Sequence, residues 1–329
     1  MSRPKLQDVA ARAGVSVTTV SRVLNDRGYL SADIRRRVAE AVAELGYRPN
    51  EIARSLIGQK SRLVGLIVPT VADPFFGELA SRIEGELAAQ GYKMLLCDCL
   101  ENAEREAEYL EMLQANRVDG IITSTHNRDV EGYDRADAPI VAVDRRLGPD
   151  IPMIRSDNRT GGRLATGHLI ARGSRSAVFI TATDHPGNDR ASAYRETMRE
   201  HGLEPRVLAY GYATPMRERR ALIETWLMDN DADGVFASDD LTALMVLEWA
   251  RKTGRPVPDA LRIVGYDGSR AALLAMPGLT TVRQPIDGLG ARAVQALIRR
   301  IEAPDDADRE RRFSAEAPLP VELHQGWTS

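Results

Sequence analysis

From Leu63 onward the chain alternates short apolar runs with amphipathic stretches, and this alternation narrows the possible folds more than any other feature. The runs LVGLIV (63–68), KMLLCD (93–98), GIIT (120–123), IVAV (140–143), AVFIT (177–181), GVFA (234–237) and RIVGY (262–266) have the length of buried strands. Between most of them lie segments with helical spacing, among them 76–91, 105–116 and 240–254. Strand and helix in turn dictate parallel, doubly wound sheets, because a parallel neighbour is reached only through a crossover. At 329 residues the chain exceeds one ordinary core. The body is therefore expected to hold two such sheets side by side, with a ligand cleft at their carboxyl edges.

Residues 5–45 break the pattern. Leu6, Val9, Ala10 and Ala13 recur at spacings of three and four, and Gly14 permits a sharp reversal. Ser16 is placed to cap a second helix whose Val17, Val20 and Leu24 line one face. A third helix is expected after Ser31, with Ile34, Val38, Ala41 and Leu45 buried, ending near Gly46. Two helices joined by a tight turn and covered by a third describe a helix-turn-helix module. Residues 1–60 carry eleven Lys or Arg against six acids, a charge of +5, which leaves −8 for the rest of a chain whose net charge is −3. A basic head on an acidic body suits a protein of which only the head meets phosphate.

Other classes are poorly served. No stretch approaches the roughly 20 apolar residues a membrane span requires, and the N-terminal residues lack the apolar run of a signal peptide, so a cytoplasmic location is expected. Cys97 and Cys99 stand two apart, an arrangement that suits reduced structural thiols. The five histidines are scattered and no metal-ligand spacing gathers them; neither metal nor cofactor is expected. No phosphate-binding loop, GxSxG elbow or dinucleotide fingerprint follows the first strand, and no catalytic residue is assigned.

The segments LQDVAARAGVSVTTVSRVLN (6–25) and SADIRRRVAEAVAELGYRPNEIARSL (31–56) resemble the N-terminal module of the lactose/galactose repressor (LacI/GalR) family of bacterial transcription factors. The likeness continues through DPFF (73–76), DGII (119–122), PIVAVDR (139–145), SDNRTGG (156–162), DGVFASDD (233–240), IVGYDG (263–268) and LTTVRQP (279–285). It implies an all-α helix-turn-helix head (1–45) joined by a hinge helix (46–60) to a two-lobed α/β body (61–329) like the periplasmic binding proteins. Its chain is expected to cross between lobes near residues 157, 286 and 316. The resemblance assigns base reading to Val17, Thr18 and Arg22. Arg22 suits a bidentate guanine contact, Thr18 a base edge, and Val17 apolar contact alone. Ser16, Thr19, Ser21 and Asn25 suit phosphate oxygens. By the same resemblance Ala53, Arg54, Ser55 and Leu56 belong to a hinge that pairs across a dimer in the minor groove, Leu56 acting as a wedge.

Polar residues at strand ends are the expected ligand contacts of the body: Asp73, Ser124, Asp144, Ser238, Asp239 and Asp267, with Arg190 in GNDR. Carboxylates and an arginine bracket vicinal hydroxyls, which suits a sugar, and Phe75, Phe76 and Tyr212 are expected to cover its apolar face. The resemblance makes Arg190 and Asp267 the main contacts, while Asp73, Asp144 and Asp239 are open between ligand contact and helix cap. It further implies a homodimer that recognises a pseudo-palindromic operator in double-stranded DNA and is released when the sugar binds as inducer; a tetramer is not expected, since the last residues carry no apolar heptad. A transport protein with the same body would need a signal peptide, and a glycosidase a suitably spaced carboxylate pair.

Overall fold

The structure, a computed structural model, describes residues 4–24, 28–47, 60–127, 130–148, 150–302 and 317–329. The chain divides between Ser61 and Arg62 into two compact units.

The first unit holds α1 (Leu6–Ala13), α2 (Val17–Leu24) and α3 (Ala32–Leu45). Val9, Ala10, Ala13, Val20, Val38 and Ala41 form its buried core. Gly14 ends α1 at φ 64°, a left-handed conformation that a side chain would strain. Arg37 of α3 locks this turn, donating from Nε to the Ala13 carbonyl at 3.0 Å and from its terminal nitrogen to the Gly14 carbonyl at 3.0 Å. One of the head's basic residues is thus spent on structure. The apolar face of α2 differs from expectation: Val20 is buried with Val23 and Leu24 beside it, whereas Val17 is 41% exposed. Val17 and Val20 are only about 60° apart around a helix, but Val17 is the first residue of α2 and stands at the edge of the buried face, so the core takes Val20 and leaves Val17 outside.

The second unit contains two sheets. β1 (Leu63–Val68), α4 (Pro74–Ala89), β2 (Lys93–Asp98), α5 (Ala103–Ala115), β3 (Gly120–Thr123), β4 (Ile140–Val143) and β5 (Met153–Ile154) build the first lobe, with all five strands parallel in the order β2-β1-β3-β4-β5. α6 (Asn158–Ala171), β6 (Ala177–Thr181), α7 (Asp189–Glu200), β7 (Arg206–Ala209), α8 (Met216–Asp229), β8 (Gly234–Ala237), α9 (Asp240–Lys252), β9 (Arg262–Asp267), α10 (Arg270–Ala275) and β10 (Thr280–Arg283) build the second. The chain then returns in α11 (Ile286–Glu302), whose Leu289, Ala293 and Leu297 join the first lobe's core, and ends with β11 (Glu322–His324). The second sheet has the order β11-β10-β9-β8-β6-β7, and only β11 is antiparallel. Leu319 runs beside the segment that leaves β5, accepting from the Asp157 amide at 2.8 Å and donating to the Arg155 carbonyl at 2.8 Å. Residue 316 and most of the 46–60 hinge lie outside the described residues. Cys97 and Cys99 are free and buried, and burial pushes both thiols up to about 11.

One helix pair ties this fold to the site. α6 and α7 meet across Gly162, where a Cβ would lie 2.8 Å from the Ala193 Cβ and 2.8 Å from the Arg190 carbonyl oxygen. Gly162→Ala is therefore expected to destabilise the body by about 1–3 kcal/mol through overpacking. Chemical denaturation should show the lower midpoint; an unchanged midpoint would mean that the helices separate freely and that Arg190 is not held by their contact.

Candidate functional site

The candidate reading surface of the head is the outward side of α2. Its N-terminus is capped by Ser16, whose Oγ accepts from the Thr19 amide at 3.1 Å and lies 2.8 Å from the Thr19 hydroxyl. The hydroxyls of Ser16 and Thr19 are thus first committed to the helix itself. Val17, Thr18 and Arg22 are exposed, and Thr18 and Arg22, four residues apart, share one face. Ser21 is half-buried beside them. Asn25, Ala53, Arg54, Ser55 and Leu56 lie outside the described residues.

In the body, strand ends from the two lobes meet around Arg190, in the first turn of α7. Its Nε donates to Asn158 Oδ1 at 2.8 Å and a terminal nitrogen to the Ser238 carbonyl at 2.7 Å. The same guanidinium lies 3.9 Å from Asp267 Oδ1 and 3.7 Å above the Tyr266 ring. Asn158 in turn donates from Nδ2 to Asp144 Oδ1 at 3.2 Å, and Asp144 also accepts from the Ser156 amide at 3.1 Å. Gln284 Nε2 donates to Asp267 Oδ1 at 2.7 Å, and its own buried Oε1 has no hydrogen-bond partner. A polar relay therefore runs from Asp144 in the first lobe through Asn158 and Arg190 to Asp267 and Gln284.

Burial pushes the Asp144 carboxyl up to about 6 despite the nearby Arg190 charge, and burial likewise raises Asp267 well above the usual carboxylate range. Asp144 (φ 53°) and Asp267 (φ 99°) also hold left-handed backbone conformations that non-glycine residues rarely adopt. Strain of this kind collects where a side chain must be aimed.

Asp73 and Asp239 act as helix caps. Asp73 accepts from the Phe75 amide at 2.8 Å at the head of α4, and Asp239 from the Thr242 amide at 2.7 Å at the head of α9. Burial, and then the charge of Asp239, pushes Asp73 up to about 6. Ser238 donates to Asp239 Oδ2 at 3.2 Å, and the buried Ser124 hydroxyl has no partner. The aromatic expectation needs correction. Phe75 is buried in the first lobe's core and meets Phe76 edge-on, 5.1 Å between centroids, because successive helical residues cannot face the same way. Phe76 instead meets His126 at 5.8 Å, and His126 stacks on Tyr212 at 4.7 Å with the rings only 10° from parallel.

His126 escaped notice in sequence because no ligand spacing surrounds it. Burial, with the charges of Arg190 and Arg145, pushes its pKa down to about 3 and keeps the ring neutral. Its loop is clamped by the buried Glu106, which accepts from Thr125 at 2.6 Å, Asn127 at 2.8 Å, Tyr133 at 2.6 Å and Arg145 at 2.8 Å. Asn158, Gln284 and Tyr266 were also missed as site residues, although each falls in a family segment (SDNRTGG, LTTVRQP or IVGYDG). The arrangement offers acceptors, one guanidinium and a flat ring pair, a combination suited to a small polyhydroxyl molecule.

Among the described residues no helix is long and apolar enough to cross a membrane. Residues 5–50 match the family model for bacterial regulatory proteins of the lacI family, and residues 166–322 match a periplasmic binding protein-like domain. The chain is similar to the sucrose operon repressor of Pediococcus pentosaceus, 41% identical over 99% of this chain and 100% of that protein. It is also similar to the ribose operon repressor of Halalkalibacterium halodurans, 38% identical over 90% of both. A solved periplasmic binding protein/LacI transcriptional regulator from Alkaliphilus metalliredigens, complexed with D-xylulofuranose, superposes with a TM-score of 0.70 at 29% identity, covering 82% of this chain and 99% of that one. With a helix-turn-helix head, a two-lobed body and relatives that match it nearly end to end, this chain belongs to the LacI family of bacterial transcriptional regulators.

Proposed function

We propose that the chain is a cytoplasmic, homodimeric repressor that binds a pseudo-palindromic operator through α2 and is released when a sugar, acting as inducer, binds between the lobes of its body. The observation that carries this reading is the relay Asp144–Asn158–Arg190–Asp267, which joins residues of both lobes around one guanidinium in a chain similar along its whole length to sugar operon repressors. A ligand that replaces part of this relay changes how the lobes are held. By linkage, a ligand that favours one lobe arrangement must bias whatever DNA affinity differs between arrangements.

Three variants test separate parts. Arg22→Ala is expected to weaken specific operator binding by about 1–3 kcal/mol and to relax sequence preference at one position, read by fluorescence anisotropy at fixed salt. Equal loss on operator and random DNA would assign Arg22 to phosphate contact instead. Arg190→Ala and Asp267→Asn should each weaken sugar binding about ten- to a hundredfold, a loss much larger than any change in operator affinity without sugar. Variants that release operator at the parental sugar concentration would make these residues structural.

Asp144→Asn reports on the cost of the site. A carboxyl whose folded pKa is raised destabilises the protein above that pKa, and the penalty fades as pH falls through about 6. The variant should therefore melt higher than the parent at pH 7.5, by the equivalent of about 1–3 kcal/mol, and the difference should shrink below pH 6. A difference independent of pH would show that the Asp144 charge is not what costs stability.

A further inference from the structure

A phosphorylated sugar carries nearly two more negative charges than the free sugar at neutral pH, so the two forms demand opposite electrostatics from a binding cleft. Phosphate is normally held by open helix N-termini or by unspent arginine forks. Among the described residues the cleft supplies neither. Each described helix of at least eight residues that begins there is already capped by a side chain: α4 and α9 by the carboxylates Asp73 and Asp239, α6 by Asp157 and α7 by Asn188. A phosphate seeking the α4 or α9 amides would have to displace a covalently attached anion of the same charge sign.

The arginines described around the relay are equally committed. Arg190 is shared among Asn158, the Ser238 carbonyl, Asp267 and the Tyr266 ring. Arg219 lies 3.9 Å from Glu101 and over the Tyr210 ring at 4.5 Å, and Arg145 is bound to Glu106. His126, the ring that stacks on Tyr212, is held neutral by burial and by the neighbouring arginines. The carboxylates already crowd one another: Asp73 is raised by burial and by the charge of Asp239, and Asp267 by burial and by the charges of Asp73, Asp240 and Asp239. A further anion meets a surplus of its own sign. Sugar hydroxyls donate to carboxylates and to the unpartnered Gln284 Oε1, and so fit the same groups.

We infer that the effector of this chain is an uncharged polyol, and that Asp73 and Asp239, besides capping α4 and α9, form a charge filter that rejects the phosphorylated form of the same sugar. This rests on the effector role proposed for the cleft. It assigns to two helix caps a part in specificity.

The test uses the full-length protein and matched probes: sucrose with sucrose 6-phosphate, ribose with ribose 5-phosphate, and inorganic phosphate alone. Isothermal titration should give, for whichever pair binds, at least about a hundredfold weaker binding of the phosphorylated member, and millimolar inorganic phosphate should not raise the melting temperature. In Asp73→Asn/Asp239→Asn both caps survive, because asparagine caps as well as aspartate. That variant should narrow the preference for the free sugar about tenfold or more, read as the ratio of the two affinities so that any shared loss cancels. A phosphorylated probe that binds the parent as tightly as its free partner overturns the inference and leaves the repressor reading intact. So does a folded double variant, checked by circular dichroism, with the parental ratio. If no probe of either series binds, the sugar reading of the cleft falls, and the filter falls with it.

Discussion

A guanidinium keeps its charge at every pH a protein survives, so burying one obliges the surrounding chain to bring acceptors to it. Arg190 meets that demand with partners from three places: Asn158 at the head of α6, the carbonyl that follows β8, and the carboxylate that ends β9. These partners fix how α6 and α7 lie on the second sheet. Gly162 is small because that approach leaves no room for a side chain, and Gly161 is small because a Cβ there would collide with the Tyr266 hydroxyl. Asn158 then carries the constraint to Asp144, so the first lobe's fourth strand ends where the second lobe's arginine needs it. One mostly enclosed charge thus ties together helix packing, strand ends and the join between lobes.

The fold was legible where burial on both faces made the strands continuous apolar runs, as in β1, β3, β4, β6, β8 and β9. The strands that escaped lack that signature. β7 and β11 are edge strands that are half-exposed or exposed along their length, β5 has two residues, and β10 reads TTVR. The helix expected from residue 76 begins at Pro74, because Asp73 caps it two residues earlier. At the site, Asp267 stood out as a charged residue ending an apolar run, and the family resemblance singled out Arg190 in GNDR together with Asp267. His126 and Gln284 did not, since their roles arise only when distant loops meet, and no local spacing encodes a ring stacked across a cleft. Phe75 shows the opposite failure: two adjacent aromatics looked like one surface, but helical geometry sends one of them to the core.

The head obeys a different economy. Among the described residues its fully buried core is six small or β-branched side chains, with larger, partly buried ones such as Leu6, Ile34 and Leu45 packed against them, and Arg37 adds hydrogen bonds to the α1–α2 turn. The exposed side of α2 is then left to short polar side chains, one arginine and Val17. The head thus presents a few groups on a small scaffold, whereas the body holds many groups on a large one.

The left-handed backbone at Asp144 and Asp267 limits which residues can replace them in this regulator's descendants. Glycine, asparagine and aspartate tolerate such conformations, but β-branched and bulky residues do not, so most single-codon routes at these two positions lead to strain before they lead to a new contact. Evolution of a new effector range is therefore steered toward residues on ordinary backbone, such as Ser124, Ser238 and Tyr212. The two aspartates should persist as fixed points around which the rest of the cleft is rewritten.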